Sequence, residues 1–183
     1  AWSQGYVGED IVIGIIDTGI YPEHPSFADT RTPRDGDRGR YIPYDAPPAS
    51  FKGAGCAFGN EEFNENDAPF ECNNKLLKAD FFVDAYGVDQ ILDDEFLSGR
   101  DSDGHGSHTA STAGGNYDVE AIINGEFLGG ISGMAPRARI ASYKICWAGP
   151  ELEDNGCWYG DAMAAIDQAV ADGVDVINYS IGG

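Results

Sequence analysis

The hydrophobic positions of the chain fall into short blocks that predict buried strands. Residues 11–16 form an unbroken apolar run rich in β-branched side chains, which is typical of a strand covered on both faces of a parallel sheet. The run ends at Asp17-Thr18-Gly19, where the glycine interrupts the pattern. Three later apolar segments are also predicted strands: residues 75–83, 139–145 and 174–181.

Two segments between these strands have the pattern of helices. Residues 159–172 carry Met163, Ile166 and Val170 at spacings of three and four, which predicts an amphipathic helix that ends at Gly173. Small residues fill the other segment, around 104–113, and predict a helix packed very closely on its neighbours. Its candidate N-cap residues are Asp101, Ser102 and Asp103. Strands that alternate with helices predict an α/β fold: a parallel sheet with helices on both faces.

A long surface excursion is predicted at about residues 22–98, because residues 22–74 are rich in proline, glycine and aspartate. The chain has four cysteines, which allow three pairings. The local pairing, Cys56–Cys72 and Cys146–Cys157, closes two short polar loops that bury little apolar area, and we favour it. Free buried thiols are the alternative, and the spacing does not resemble a metal site. Two disulfides predict an exported protein, secreted to the extracellular space.

The charge of the chain excludes several classes of function. There are 31 Asp and Glu residues against 11 Lys and Arg, a formal net charge of −20. Such a chain is repelled by phosphate backbones and by anionic lipid surfaces, so we expect neither a nucleic-acid nor a membrane partner. No apolar run approaches the length of a membrane span. The acidity is best interpreted as solubility or as tolerance of salt or cold.

Polar residues with catalytic potential follow two of the predicted strands and open one helix. Asp17 ends the first strand, Ser180, Ile181 and Gly182 lie at the end of the last, and His105 stands at the helix start. Because ligand sites of such sheets lie at the carboxyl ends of the strands, these features are expected on one rim. A carboxylate that holds one imidazole nitrogen prepares the other to take a proton from a nucleophilic hydroxyl. Taken singly, each residue also has an ordinary structural role as a turn, cap or core residue.

Other chemistries of the same residues are weaker. His105, His108 and Asp17 are a candidate metal set, but zinc motifs more often pair histidines four apart with a nearby glutamate, which is missing. His108 is better interpreted as a core histidine hydrogen-bonded beside the site. A nucleotide fingerprint is absent after the first strand. We therefore expect no metal and no cofactor; acidic residues 89–95 and 151–154 are candidates for calcium, although solvated charge is the preferred interpretation.

Three motifs, in this order, resemble those of the subtilisin-like serine proteases, the subtilases. Residues 15–20 (IIDTGI) resemble the catalytic-Asp motif, residues 104–110 (GHGSHTA) the catalytic-His motif with serine where threonine is usual, and residues 177–183 (INYSIGG) the strand that lines the substrate cleft. Further segments are similar to the plant-type, cucumisin-like group: residues 7–10, 21–27, 72–76, 133–138, 143–147 and 165–169. Secreted bacterial relatives share this pattern.

The resemblance implies a role for each matched residue. Asp17 orients His105, and His105 acts as general base and then as general acid. The backbone of Ser180, Ile181 and Gly182 binds extended protein or peptide substrates, and the Ile181 side chain helps to wall the pocket for the residue before the scissile bond. A cleaved inhibitory propeptide is a further partner implied by the family. Many relatives bind calcium, whereas plant-type members need none.

The chain also departs from the family pattern. The Gly-Thr-Ser-Met-Ala-like motif that carries the nucleophile is absent from residues 1–183, as are the oxyanion-hole asparagine and the inserted protease-associated domain. The expectation is that residues 1–183 are the N-terminal part of a peptidase catalytic domain, that the serine lies after Gly183 in a C-terminal remainder, and that this part alone is inactive. A metal-dependent hydrolase and a peptide-binding relative without a serine are the open alternatives.

Overall fold

A four-stranded parallel sheet forms the centre of the molecule. The computed structural model describes residues 1–29 and 43–182 of the 183-residue chain. Neighbouring strands of the sheet are, in spatial order, β2 (Leu76–Phe81), β5 (Arg139–Lys144), β1 (Val12–Asp17) and β8 (Val176–Tyr179). All three pairings are parallel. The predicted α/β class with a parallel sheet is confirmed.

One helix packs on each face of this sheet. Alternate side chains of β1 point to opposite faces: Ile13 and Ile15 join a core cluster with Ala110 of α1 (His105–Gly114), whereas Val12 and Ile16 join a second cluster with the alanines of α2 (Tyr159–Asp172). Both β1 and β5 are buried along their whole length. Helices on both faces, as predicted, therefore explain why β1 has no polar position before Asp17.

The packing face of α2 differs in part from the predicted one, although Ile166 packs against the core as expected. The bounds and the left-handed Gly173 at the C-terminus agree with the prediction, but Met163 is 42% exposed and Val170 is 66% exposed. The buried apolar positions are instead Ala162, Ala165 and Ala169. Alanine allows the helix axis to approach the sheet closely, so the buried stripe consists of the smallest side chains and the spacing of the larger ones is misleading.

Several smaller elements were not predicted. An antiparallel hairpin of β3 (Val119–Ile123) and β4 (Glu126–Ile131) lies between α1 and β5, and a short pair is formed by β6 (Cys146–Trp147) and β7 (Gly156–Cys157). Four 3₁₀ turns complete the described elements: Trp2–Gln4, Pro25–Phe27, Val88–Gln90 and Leu152–Asp154. None of the helices in the described ranges is long and apolar enough to cross a bilayer.

The Cys56–Cys72 disulfide and one buried arginine hold the predicted surface excursion, of which residues 30–42 lie outside the described part. The structure contains the disulfides Cys56–Cys72 and Cys146–Cys157. The Arg100 guanidinium is buried; it binds both carboxylate oxygens of Glu23 at 2.8 and 2.9 Å, and its Nε donates to Asp67 at 3.0 Å. Bidentate, charge-assisted contacts of this kind join parts of the chain that are far apart in sequence.

Candidate active site

Asp17 and His105 meet at the carboxyl end of the sheet. Asp17 is the last residue of β1 and is 1% exposed, and His105 is the first residue of α1. His105 Nδ1 lies 2.7 Å from Asp17 Oδ1, although the two residues are 88 positions apart. Because an ionised carboxylate only accepts hydrogen bonds, Nδ1 carries the proton, and Nε2 of the neutral ring is free to accept one.

Two further donors hold the carboxylate of Asp17 in place. The Thr18 N–H donates to Oδ1 at 2.8 Å, and the Thr109 hydroxyl donates to Oδ2 at 3.1 Å. Thr109 stands four residues after His105 and therefore lies on the same face of α1. Sequence reasoning assigned no role to Thr109, although this spacing from His105 was a usable signal.

The close approach of α1 to β1 depends on a glycine. A Cβ at Gly106 would collide with the carbonyl oxygen of Gly19, so a larger residue would push His105 away from Asp17. Gly114 at the other end of the helix packs against the side chains of Ile140 and Ile13. The predicted close packing of this small-residue helix is therefore present, and it sets the distance between the carboxylate and the imidazole.

The first turn of α1 is capped by side chains from outside the helix. The N-cap residue is Gly104, which has no side chain to do this, so the expected N-cap position at Asp101, Ser102 or Asp103 was wrong. Three N–H groups of the first turn nonetheless find acceptors: Asp103 Oδ1 for His105, Thr18 Oγ1 for Gly106 and Asp101 Oδ2 for Ser107. Two of the three predicted residues therefore cap the helix without occupying the N-cap position.

The environment of His105 favours the charged form of its ring. The hydrogen bond that His105 donates to Asp17 and the charge of that carboxylate raise the pKa of His105, burial opposes this, and the charges of Asp103 and Asp101 raise the pKa further. The side chain is 44% exposed, so its ring is open to a reacting group. The pair can therefore accept a proton at Nε2 and stabilise the resulting imidazolium.

Ser180, Ile181 and Gly182 lie at the same end of the sheet. Tyr179 pairs with Ile16, so Ser180 follows level with Asp17, one strand away. The strand ends at Tyr179, two residues earlier than predicted, and these three residues continue beyond it. Ser180 and Gly182 are exposed, whereas Ile181 is half-buried and packs against the core cluster under α2.

The structure shows that His108 is not a core residue. His108 is exposed on α1, so the interpretation as a core histidine was wrong. Within the described residues, no group of three or more His, Cys, Asp or Glu side chains is arranged to hold a metal ion. Of the acidic stretches considered for calcium, residues 89–95 include Glu95, which instead pairs with Lys144 at 2.9 Å.

A cleft of about 600 Å³ opens next to the pair. Thr18 and residues 101–103 form one side, and the Cys146–Cys157 disulfide with Asn155 and Gly156 forms another. The cleft therefore connects the Asp17 turn with the loop that the second disulfide closes.

Comparison with known proteins decides the family. A family model described as the subtilase family matches residues 8–183. The chain belongs to the subtilase family. Two relatives from Arabidopsis thaliana are subtilisin-like protease SBT1.5, 44% identical over 179 residues, and subtilisin-like protease SBT1.6, 40% identical over 188 residues. The resemblance to plant-type, cucumisin-like subtilases is thereby confirmed.

The subtilase relatives are much longer than this chain. The alignments cover 96% and 100% of the chain but only 20% and 21% of SBT1.5 and SBT1.6. The chain therefore spans about a fifth of the length of the curated relatives it matches. Their names describe subtilisin-like proteases, in agreement with a serine peptidase family.

Proposed function

We propose that this chain supplies the Asp and His of an Asp–His–Ser triad in a secreted serine endopeptidase. The contact of 2.7 Å between His105 Nδ1 and Asp17 Oδ1 is the observation that carries the proposal. The nucleophilic serine comes from polypeptide after Gly183, since residues 1–183 contain no match to the family's nucleophile motif. Residues 1–183 are accordingly the N-terminal part of the peptidase catalytic domain.

In the proposed reaction His105 acts first as a general base and then as a general acid. Its Nε2 takes the hydroxyl proton of the serine as the oxygen attacks the scissile carbonyl, and the imidazolium then gives that proton to the leaving amine. Asp17 keeps its negative charge throughout and holds the ring in the reactive tautomer. A water molecule repeats the sequence on the acyl-enzyme, with the serine as the leaving group.

Substrate binding is assigned to the backbone after β8. Ser180 and Gly182 are exposed and follow a strand of the sheet, so their N–H and C=O groups can pair with an extended peptide as an added strand. Ile181 is anchored against the core and supplies a fixed apolar wall beside them. The partners that follow are protein or peptide substrates, the C-terminal remainder of the domain and a cleaved inhibitory propeptide.

Secretion and the absence of a cofactor are parts of the same proposal. Two disulfides support an oxidising compartment, because such bonds persist outside the cytosol. The acid–base chemistry described above is complete without a metal or an organic cofactor. A metal-dependent hydrolase is the weaker candidate, because no group of three or more His, Cys, Asp or Glu side chains among the described residues is arranged to hold a metal ion.

A fluorophosphonate probe tests the proposal on the full-length protein that contains this chain. We expect one serine outside residues 1–183 to be labelled, and labelling to be lost in a His105→Ala variant, because the hydroxyl then has no base. Isolated residues 1–183 are expected to remain unlabelled and to hydrolyse no peptide. Labelling of a serine within 1–183, or activity lost to a chelator but not to the probe, would refute the proposed triad. If the full-length protein has no reactive serine, the peptide-binding alternative without catalysis is favoured instead.

The pH dependence of kcat/KM provides a second test. His105 acts as a base only when neutral, and Asp17 raises its pKa, so activity should rise with pH through a midpoint above the ordinary histidine value of about 6.5. Initial rates on one peptide substrate between about pH 5 and 9 give the midpoint. A midpoint below about 6 would contradict the assignment of His105 as the base.

A further inference from the structure

The contact between Asp17 and His105 requires that the end of β1 and the start of α1 be held in a fixed relative position. His105 is half-exposed, so packing around the ring does not fix its position. Asp17 belongs to a buried central strand, whereas α1 begins at His105, directly after a loop that starts near residue 100. Errors of about 1 Å in the placement of catalytic groups can cost about 10²-fold in rate. The connection between the turn after β1 and the start of α1 is therefore decisive.

Asp101 is the centre of that connection. Its Oδ1 accepts from the Thr18 hydroxyl at 2.8 Å and from the Gly104 N–H at 2.9 Å. Its Oδ2 accepts from the Ser107 N–H at 2.9 Å and from the Ser107 hydroxyl at 2.6 Å. Both oxygens are thus occupied by donors from the Asp17 turn, the loop and the first turn of α1. Burial raises the pKa of Asp101, but these hydrogen bonds outweigh it and lower the pKa, so the carboxylate stays ionised.

Thr18 and Ser107 extend the connection on either side of Asp101. Thr18 follows Asp17 directly. Its hydroxyl donates a hydrogen bond to Asp101 and accepts one from the Gly106 N–H at 2.7 Å. Ser107 donates to Asp101 and accepts from the Tyr21 N–H at 2.9 Å. Each hydroxyl therefore joins the segment after β1 to the first turn of the helix that carries His105.

We propose that Asp101 is a positioning residue for the triad: through Thr18 and Ser107 it locks the start of the His105 helix onto the turn that follows Asp17. This inference rests on the proposed function. It assigns Asp101 no contact with substrate. Its effect on the reaction is exerted through the distance and orientation between His105 and Asp17.

The test uses an Asp101→Asn variant of the full-length protein. An amide has one acceptor oxygen and a donating NH₂, so it cannot accept every hydrogen bond that the two carboxylate oxygens accept. Its NH₂ group would face at least one of the N–H or O–H donors, and that hydrogen bond would be lost. We expect kcat to fall about 10²-fold with KM changed less than about threefold. Asp167→Asn on the exposed face of α2 is the matched control for the loss of one carboxylate and is expected to leave activity unchanged.

The pH profile separates positioning from a general loss of stability. The charged groups that face His105 are Asp17 from β1 and Asp101 and Asp103 from the loop before the helix, and all three raise its pKa. Loss of the Asp101 charge should therefore move the acid limb of kcat/KM to lower pH. A variant that was merely less stable would keep the parental midpoint.

Thr18 offers a second pair of variants if Asp101→Asn fails to fold. Thr18→Ser keeps the hydroxyl and is expected to retain at least about tenfold more activity than Thr18→Ala. Equal activities of these two variants would overturn the inference. So would Asp101→Asn activity within about threefold of the parent with an unmoved pH midpoint.

A crystal structure of the Asp101→Asn protein gives a readout that does not depend on catalysis. We expect the separation of His105 Nδ1 and Asp17 Oδ1 to exceed about 3.2 Å, the limit for such a hydrogen bond. An unchanged distance of 2.7 Å would overturn the inference while leaving the proposed function intact. By contrast, the absence of a fluorophosphonate-labelled serine in the full-length protein would reject the proposed function even if this distance increased.

Discussion

Replacement of Asp17 by asparagine in the full-length protein is expected to lower kcat by about 10⁴-fold. The carboxylate accepts three hydrogen bonds with its two oxygens, from His105, Thr18 and Thr109. A neutral amide has a single acceptor oxygen and no charge with which to stabilise the imidazolium. The ring loses both its preferred tautomer and its counter-charge, so Nε2 no longer serves as an efficient base.

Steady-state kinetics on a peptide substrate measure this effect, with active-site titration to count folded enzyme. KM is expected to change little, because Asp17 is 1% exposed and does not touch substrate. Asp167→Asn, which removes an exposed carboxylate from α2, is again the control. Activity of Asp17→Asn within about threefold of the parent would show that Asp17 does not orient the base.

The largest expected effect on stability is at the buried pair of Glu95 and Lys144. Both side chains are almost completely buried, and Lys144 Nζ donates to Glu95 Oε1 at 2.9 Å and to the carbonyl of Arg100 at 2.8 Å. Glu95→Ala removes the hydrogen-bonded counter-charge of a buried ammonium and leaves it only the weaker attraction of Asp101 and Asp67. We expect the free energy of unfolding to fall by about 3–5 kcal/mol.

The pH dependence of that loss checks its cause. Burial lowers the pKa of Lys144, and Glu95 opposes this in the parent protein. In Glu95→Ala the penalty is therefore complete below the lowered folded-state pKa and shrinks as pH rises toward the unfolded value of about 10.4. Denaturant unfolding at several pH values measures it.

A double variant, Glu95→Gln with Lys144→Met, is the control for the buried pair. It removes both charges while keeping similar volumes, and it should recover at least about half of the lost stability. A loss below about 1 kcal/mol in Glu95→Ala would mean that water reaches the ammonium and that the pair is not a buried one.

Much of the fold was predictable because buried parallel strands have an unmistakable composition. The apolar run of β1 lies within one residue of its predicted start, and the bounds of α2 agree with the prediction. The hairpin of β3 and β4 was missed, since its alternation is weak and a register irregularity interrupts it. The buried face of α2 was predicted only in part, because Ile166 packs against the core whereas Met163 and Val170 are exposed and alanines pack on the sheet.

The two catalytic candidates could be predicted from the sequence, but the residues that hold them in place could not all be predicted. Asp17 and His105 were candidates because a polar residue at a strand end and another at a helix start are expected at one rim, and the resemblance of residues 15–20 and 104–110 to subtilase motifs selected them. The role of Asp101 could not be predicted, since aspartate is common before a helix and only its contacts with Thr18 and Ser107 distinguish it. Thr109 was missed although its spacing from His105 places it on the same face of α1.

The amino-acid sequence by itself determined the order of buried strands, the glycine-rich helix start and the identity of the two residues that face each other. These features are local: each depends on a run of neighbouring residues and on their conformational preferences. The tertiary structure alone decided the distance of 2.7 Å, the exposure of His108 and the connection through Asp101. Those depend on segments more than 80 positions apart, whose approach is set by close packing at Gly106 and by hydrogen bonds that no sequence pattern records.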